Sequence, residues 1–161
     1  MSSAALVAEV HELLSREVHL LDDRDYEGWL ELFAEDCLYW MPVDPLSEDG
    51  TLRLNVFYDD KAKMRDRIAR LDSGNAYTEE PISLTARTFA AVQVEETDAG
   101  DGSLTARSNF QLVAYRSGEQ RVLGGRYLHR LVRADGGLRI SEKRVTLLGS
   151  DAPQRPMTFL F

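Results

Sequence analysis

Four side chains of this sequence are candidates for proton-transfer chemistry: Asp22, Tyr39, Tyr127 and His129. Asp22 comes at the end of a predicted first helix, Tyr39 lies on an early strand, and the other two belong to a long later strand. A carboxylate in an apolar cavity has a raised pKa and can move protons between carbons or help to expel water. The four residues indicate an acid–base site if the fold brings them to one cavity.

A structural role for the same residues competes with this interpretation. Asp22 and Asp23 can cap or bridge helices, while Tyr127 and His129 can be partly buried residues with satisfied hydrogen bonds. Other catalytic signatures are missing from the sequence: it has no nucleophile elbow, no phosphate-binding glycine loop and no dinucleotide fingerprint. The acid–base and structural interpretations both remain open at this point.

The sequence offers few ligands for a metal. Cys37 is the one cysteine, whereas a Rieske centre needs two Cys and two His, and other iron–sulfur clusters need more cysteines. His11 and His19 are eight residues apart on one predicted helix, roughly 12 Å along its axis, which is too far to share one ion. The remaining set joins His19 and His129 with Asp22 or Asp23, and a helix-surface His beside an Asp usually forms only a weak ion pair. We expect no metal and no cofactor in this chain.

Composition excludes some partners. The chain has 161 residues, a formal net charge of −8 and 43% hydrophobic residues, which suits one domain with a real core. A phosphate-binding surface needs an excess of Lys and Arg, so we expect no nucleic acid and no anionic membrane as the main partner. The N-terminus lacks the unbroken apolar core of a signal peptide, and no apolar stretch is long enough to cross a bilayer. These features predict a cytoplasmic protein.

Helices are predicted in the first half of the chain. Apolar residues recur at spacings of three and four from Leu6 to Leu21, as in a helix with one buried stripe. Asp23 or Asp25 can cap a second helix. A third helix is predicted from about Asp59 to Leu71, followed by the loop SGNAYTEEP. The expected inner faces of the second and third helices are Tyr26, Trp29, Leu30 and Phe33, and Met64, Ile68 and Leu71.

Strands dominate the rest of the chain. CLYWMPV reads as a strand buried on both faces and stopped by Pro42, with DPLSEDG as an exposed loop. Four long antiparallel strands are predicted near 84–96, 104–116, 121–133 and 138–148. Gly124 and Gly125 inside the third of these suggest a bulge or a sharp bend. The sheet must bend around the helices, because its apolar face needs a cover.

The end of the sequence is unusually apolar. SDAPQRPMTFLF closes with Met157, Phe159, Leu160 and Phe161, whereas chain ends are commonly polar and mobile. Such an ending needs burial, either in the mouth of its own barrel, as a last piece of core, or against a partner.

Several long runs of the sequence together resemble the small (β) subunits of bacterial aromatic-ring-hydroxylating dioxygenases, which belong to the Rieske non-haem iron oxygenases. These runs are LLDDRDYEGWLELFAEDCLYWMPV, FYDDKAKMRDRIARLDSGNAYTEEP, SNFQLVAYRSGEQRVLGGRYLHRLVR, GLRISEKRVTLLGSD and the final FLF. The resemblance implies an α+β, cone-shaped fold like that of nuclear transport factor 2, the SnoaL-like proteins and scytalone dehydratase, with three helices packed in a strongly curved antiparallel sheet. It also implies a single NTF2-like domain over 1–161, with an apolar C-terminal tail at 150–161.

The resemblance implies a division of labour between two subunits. In such enzymes the α subunit carries the Rieske [2Fe-2S] cluster and the mononuclear Fe(II), and it dihydroxylates aromatic compounds in aromatic catabolism. The β subunit has no cofactor, supports assembly of the α subunit and influences substrate preference in some members. A homotrimer within an α3β3 assembly is therefore expected, with no catalytic residue in this chain.

The sequence departs from the family pattern at 81–92. It has PISLTARTFAAV where many members have a segment close to PPSRTRHLVSNV, and it keeps Pro81, Ser83, Thr85 and Arg87. The lost polar residues predict altered contacts with the large subunit. They leave the substrate class and the pairing with a standard α subunit open.

A free-standing enzyme is the alternative function. A dehydratase or ketosteroid-isomerase-type enzyme would use the same cone as a pocket, with Asp22, Tyr39, Tyr127 and His129 as its working groups. Dehydratases of this fold use two histidines from the sheet, whereas His129 is the one histidine predicted on a strand here.

Overall fold

The computed structural model describes residues 3–72, 81–153 and 157–161. It is an α+β fold in which helices cover one face of a curved, open sheet. The predicted loop SGNAYTEEP lies outside the described residues except for Pro81. The elements in chain order are α1 (Ser3–Asp22), α2 (Tyr26–Leu30), β1 (Phe33–Pro42), β2 (Asn55–Asp59), α3 (Lys61–Asp72), β3 (Leu84–Glu96), β4 (Leu104–Arg116), β5 (Glu119–Ala134) and β6 (Gly137–Leu147).

The six strands form one sheet in the order β2-β1-β6-β5-β4-β3. Neighbouring strands are antiparallel with one exception: β1 runs parallel to β6, so the expectation of a wholly antiparallel sheet is wrong for this pair. The parallel pair is possible because β1 and β6 are not joined by a hairpin: β2, α3 and the first three meander strands lie between them along the chain. α1 packs against β3 and α3 against β1, which places the helices inside the curve of the sheet.

The predicted helices are confirmed with shifted boundaries. In α1 the fully buried positions are Val10, Leu14, Glu17 and Leu21, at the helical spacing of four, three and four. The side chain of Asp25, not Asp23, caps α2 by accepting a hydrogen bond from the Gly28 N–H at 2.9 Å. Phe33 is buried as expected, but it begins β1 instead of lying on the second helix.

The third helix starts two residues later than predicted because Asp59 belongs to a strand. β2 is a short edge strand that sequence periodicity did not reveal, and it pairs with β1 through Tyr39 and Asp59. Asp60 then starts α3, since its carboxylate accepts from the Lys63 N–H at 2.9 Å.

The four long meander strands are confirmed to within a few residues. The predicted bulge at Gly124 and Gly125 is wrong, because the β4–β5 register runs without interruption through both glycines. The pairing register shifts instead after Ala90 in the β3–β4 pair and after Arg130 in the β5–β6 pair. The backbones of β5 and β6 approach each other closely at Gly125, where a Cβ would overlap the main-chain oxygen of Thr146. The glycine is therefore needed for contact between β5 and β6.

The core lies between the helices and the concave face of the sheet, which we call the inner face. Trp29, Phe33 and Tyr39 meet edge to face, with ring centroids 4.9 to 6.5 Å apart. Tyr39 also stacks on Phe57 at 4.1 Å. The expected burial of Tyr26, Trp29, Leu30 and Phe33 is confirmed. The opposite, convex face of the sheet, the outer face, has no helix of the described residues against it.

Candidate functional site

Three of the four residues predicted for proton transfer lie in the interior of the cone. Tyr39, Tyr127 and His129 are buried on β1 and β5, and their side chains point to the inner face. Asp22 ends α1 at the rim of the interior, with 18% of its side chain exposed. The fold therefore brings the predicted residues to one region, and their contacts decide what they can do there.

Asp22 is fully engaged as a hydrogen-bond acceptor. Its Oδ1 pairs with the guanidinium of Arg87 at 2.5 Å and accepts from the Thr85 hydroxyl at 2.9 Å. Its Oδ2 accepts from the Arg87 main-chain N–H at 3.0 Å. These contacts fasten the end of α1 to β3, which is the structural role that the sequence left open.

The deepest polar cluster contains two residues that sequence reasoning missed, Glu17 and Lys143. Glu17 is 2% exposed and binds on both of its oxygens: Oε1 accepts from Lys143 Nζ at 2.7 Å and from Trp29 Nε1 at 3.0 Å. Oε2 lies 2.8 Å from His129 Nε2. α1, α2, β5 and β6 thus meet at one carboxylate.

The charged groups of this cluster stabilise one another's ionised forms. Burial alone would raise the pKa of Glu17, but the charge of Lys143 and then that of His129 hold it well below its ordinary value. Burial lowers the pKa of Lys143 to about 8, and the attraction of Glu17 limits that fall. Near neutral pH the cluster is therefore an ion pair in which both partners are charged.

Three polar atoms beside this cluster lack hydrogen-bond partners among the described residues: Ser108 Oγ, Tyr127 Oη and His129 Nδ1. They line a crevice next to Glu17 that has no room for a water molecule. Burial raises the pKa of Tyr127, and the nearby charge of Arg87 offsets this only in part. Tyr127 is therefore held in its neutral form, stacked on Phe110 at 4.1 Å.

The chain's own C-terminal residues fill the interior. We call residues 157–161 the tail segment; its last four residues are buried, with Phe161 1% exposed. Tyr39 Oη donates to the main-chain oxygen of Phe161 at 3.2 Å and accepts from its N–H at 2.9 Å. Phe159, Leu160 and Phe161 belong to the hydrophobic core, so of the alternatives for the apolar ending, burial within this chain as a last piece of core is confirmed.

Three of the four residues of the divergent segment 81–92 that match the family pattern, Ser83, Thr85 and Arg87, face inward, whereas Pro81 is exposed. Ser83 Oγ lies 2.6 Å from Thr158 Oγ1, and both Thr85 and Arg87 bind Asp22. The other side of this strand is exposed, as at Leu84 with 57% exposure. The segment thus keeps the contacts that hold α1 and the tail segment, while its altered residues include outward-facing ones.

The donor atoms of the described residues do not fit a metal site or an iron–sulfur cluster. Cys37 is buried, with its thiol 3.9 Å from the sulfur of Met64, and burial raises its pKa to about 11. Within the ranges that the structure describes, no three His, Cys, Asp or Glu side chains lie close enough to hold an ion. No helix among the described residues is both long and apolar enough to span a membrane.

Comparison with known proteins decides the family. A family model described as the ring hydroxylating beta subunit matches residues 16–152. The chain belongs to this family. It is 34% identical over 142 residues to the small oxygenase component of the p-cumate 2,3-dioxygenase system of Pseudomonas putida, covering 87% of this chain and 78% of that protein. The 2-halobenzoate 1,2-dioxygenase small subunit of Burkholderia cepacia is 29% identical over 144 residues, 86% of each chain.

Solved structures agree with the fold. The beta subunit of benzoate 1,2-dioxygenase from Burkholderia mallei superposes with a TM-score of 0.76 at 25% identity, over 95% of this chain and 96% of that one. A chain of naphthalene 1,2-dioxygenase gives a TM-score of 0.81 at 22% identity, over 98% of this chain and 83% of that one. The chain therefore has the expected α+β fold of the dioxygenase beta subunits.

Proposed function

We propose that this β-subunit chain is a non-catalytic assembly subunit that holds a separate α subunit, and that the α subunit carries the Rieske [2Fe-2S] cluster and the mononuclear Fe(II). The match to the ring hydroxylating beta subunit over residues 16–152 carries this proposal. The absence of a fitting donor set among the described residues is consistent with it. We further propose that residues 1–161 form one domain and that the assembly is an α3β3 complex in the cytoplasm.

The contacts of the interior argue for a structural role of Asp22, Tyr39, Tyr127 and His129. Asp22 is bound by three donors, Tyr39 holds the tail segment, and His129 is paired with Glu17. A substrate would have to displace buried residues of the same chain to reach them. No observation favours the free-standing dehydratase or isomerase, so we do not propose it.

The outer face of the sheet supports self-association of the β subunit. Leu84 and Tyr115 are register partners on β3 and β4, and Val122 lies on the neighbouring strand β5. These side chains are 57%, 47% and 66% exposed. Adjacent exposed apolar side chains on a face without a covering helix need a partner surface. A closed ring of identical subunits, here a trimer, provides one.

We propose aromatic carboxylic acids as the substrates of the whole assembly. The curated relatives are named for p-cumate, toluate, 2-halobenzoate and benzoate, all of which join a carboxylate to an aromatic ring. The purified complex, supplied with its reductase, should therefore consume O2 with benzoate-type acids and not with naphthalene. The opposite preference would contradict this assignment of the substrate class.

Co-expression with a dioxygenase large subunit from the same organism tests the assembly role. We expect one complex on size-exclusion chromatography with light scattering, and loss of activity when the small subunit is omitted. Val122→Lys on the outer face should disrupt the trimer, whereas Val7→Lys, at a 39% exposed site on α1, should leave it intact. Failure to form a complex, or activity that is indifferent to the small subunit, would refute the proposal.

A further inference from the structure

The tail segment lies in the interior in the manner of a bound ligand. Donors from three different strands converge on its main-chain oxygens. Arg87 Nη2 on β3 donates to Leu160 O at 2.5 Å, and Lys143 Nζ on β6 donates to Phe161 O at 2.7 Å. Tyr39 Oη on β1 also donates to Phe161 O, at 3.2 Å. All three donor residues are buried, so these contacts are shielded from water.

An aromatic slot receives the ring of Phe161. Phe110 meets this ring edge to face with centroids 6.3 Å apart. Phe159, which belongs to the tail segment itself, packs on the same ring at 5.5 Å. Tyr127 supports the slot from behind, stacked in parallel on Phe110 at 4.1 Å. Ring and carbonyl oxygens together therefore define what the interior recognises: an aromatic group close to hydrogen-bond acceptors.

The groups that hold the tail segment are themselves held by other parts of the chain. Arg87 is fixed by Asp22 through Nη1, and Lys143 is fixed by Glu17. Tyr39 stacks on Phe57 at 4.1 Å. None of these contacts involves the tail segment, so we expect the donors to keep their positions when it leaves. A site whose polar groups are fixed in advance binds with a smaller loss of conformational entropy.

We propose that the cone interior is a binding site that this chain fills with its own residues 157–161, and that the same site takes an arylalkyl carbonyl compound supplied in trans. Such a compound presents the two features that the tail segment presents, an aromatic ring and a carbonyl oxygen. The proposal concerns the inner face of the sheet and does not rest on the assembly role, which concerns the outer face.

The tail segment can be released from the folded protein by replacing the exposed residues 151–153 with a protease site. After cleavage, the folded body is separated from its tail by size exclusion and titrated with a fluorescein-labelled peptide of sequence MTFLF. We expect saturable binding by fluorescence anisotropy. 3-Phenylpropionamide and 3-phenylpropionate, as neutral and anionic arylalkyl carbonyl compounds, should each displace the peptide, and their relative strengths report whether the site prefers a neutral or a charged acceptor.

Matched variants test the assigned contacts. A peptide with Phe161→Ala should bind roughly 10- to 100-fold more weakly, because the buried ring is lost. In the body, Tyr39→Phe removes one donor and should weaken peptide binding roughly 5- to 10-fold. Tyr115→Phe, at a 47% exposed tyrosine on the outer face, should change nothing and serves as the control.

Several outcomes would overturn the proposal. The first is a cleaved body that does not bind the peptide and is not refolded by an excess of it. The second is equal affinity for the wild-type and Phe161→Ala peptides. The third is peptide binding that neither small compound can displace. Formation of the complex with the large subunit is measured separately, on the uncleaved chain. Failure of the peptide-binding experiment can therefore be distinguished from failure of the assembly role.

Discussion

The ion pair between Glu17 and Lys143 gives the sharpest energetic prediction. Both side chains are buried, at 2% and 0% exposure, and each is the other's closest charged partner at 2.7 Å. Removing one member of a buried pair leaves an uncompensated charge and costs about 3–5 kcal/mol. We therefore expect Glu17→Gln and Lys143→Met each to lower the free energy of unfolding by about that amount.

The double variant distinguishes a charge effect from a packing effect. With both charges gone, the amide oxygen introduced by Glu17→Gln can still accept from Trp29, and the thioether side chain introduced by Lys143→Met keeps most of the volume of the lysine stem. The combined loss should then be at least about 2 kcal/mol smaller than the sum of the two single losses, since contacting residues couple by up to roughly 3 kcal/mol. Urea unfolding followed by tryptophan fluorescence gives all four stabilities, with sucrose added to keep the single variants folded.

An exposed ion pair on the same sheet provides the control. Arg107 and Glu95 lie 3.1 Å apart with 53% and 61% of their side chains exposed. The corresponding cycle, Glu95→Gln with Arg107→Met, should couple by no more than about 1 kcal/mol, because water screens the pair. If the buried pair also couples this weakly, or if its single variants cost under about 1 kcal/mol, the charge argument for the interior is refuted.

Three further predictions concern acid, glycine and hydroxyl groups. Because the pKa of Glu17 is held below its ordinary value of 4.5, the unfolded chain takes up this proton first as the pH falls below about 4.5. Stability is then lost more steeply in the wild type than in Glu17→Gln, by up to about 1.4 kcal/mol per pH unit; parallel curves would contradict this. Gly125→Ala should cost about 2 kcal/mol or more in thermal unfolding, whereas Gly124→Ala, whose Cβ would meet Phe110 O at an ordinary 3.6 Å, should cost under about 1 kcal/mol; equal costs would exclude the close-approach role. Tyr127→Phe should stay within about 0.5 kcal/mol of the wild type because its hydroxyl lacks a partner among the described residues, and Tyr39→Phe should lose about 1–3 kcal/mol; the reverse order in urea unfolding would show that these hydroxyl contacts are misassigned.

The fold could be predicted because its signals are local. The 3.6-residue periodicity of α1 and the alternation of the long strands are set by which side chains avoid water. β2 escaped prediction because it is a five-residue edge strand whose burial does not alternate over enough positions to be recognised. The parallel β1–β6 pair escaped because no local pattern reports which distant strand will be a neighbour.

The interior was predicted incompletely because charged residues were assumed to face water. Glu17 lies on the buried stripe of α1, three residues after Leu14 and four before Leu21. Lys143 lies on the inner row of β6, two residues before Val145. The sequence therefore contained a usable indication: Glu17 and Lys143 have opposite charges, and each occupies a position that its element's apolar pattern assigns to the buried side. Reading them as a pair would have placed α1 against β6 from sequence alone.

Two of the buried cations, Arg87 and Lys143, fix the first helix and the tail segment relative to the sheet. Arg87 joins Asp22 of α1 to Leu160 O, and Lys143 joins Glu17 of α1 to Phe161 O. Each cation therefore donates one hydrogen bond to the first helix and another to the tail segment. Leucines at these positions would bury as much apolar surface but would not select one register for the tail, because hydrophobic burial is not directional. The charges thus specify one position for residues 157–161, while the apolar side chains Leu84, Tyr115 and Val122 on the outer face stay exposed.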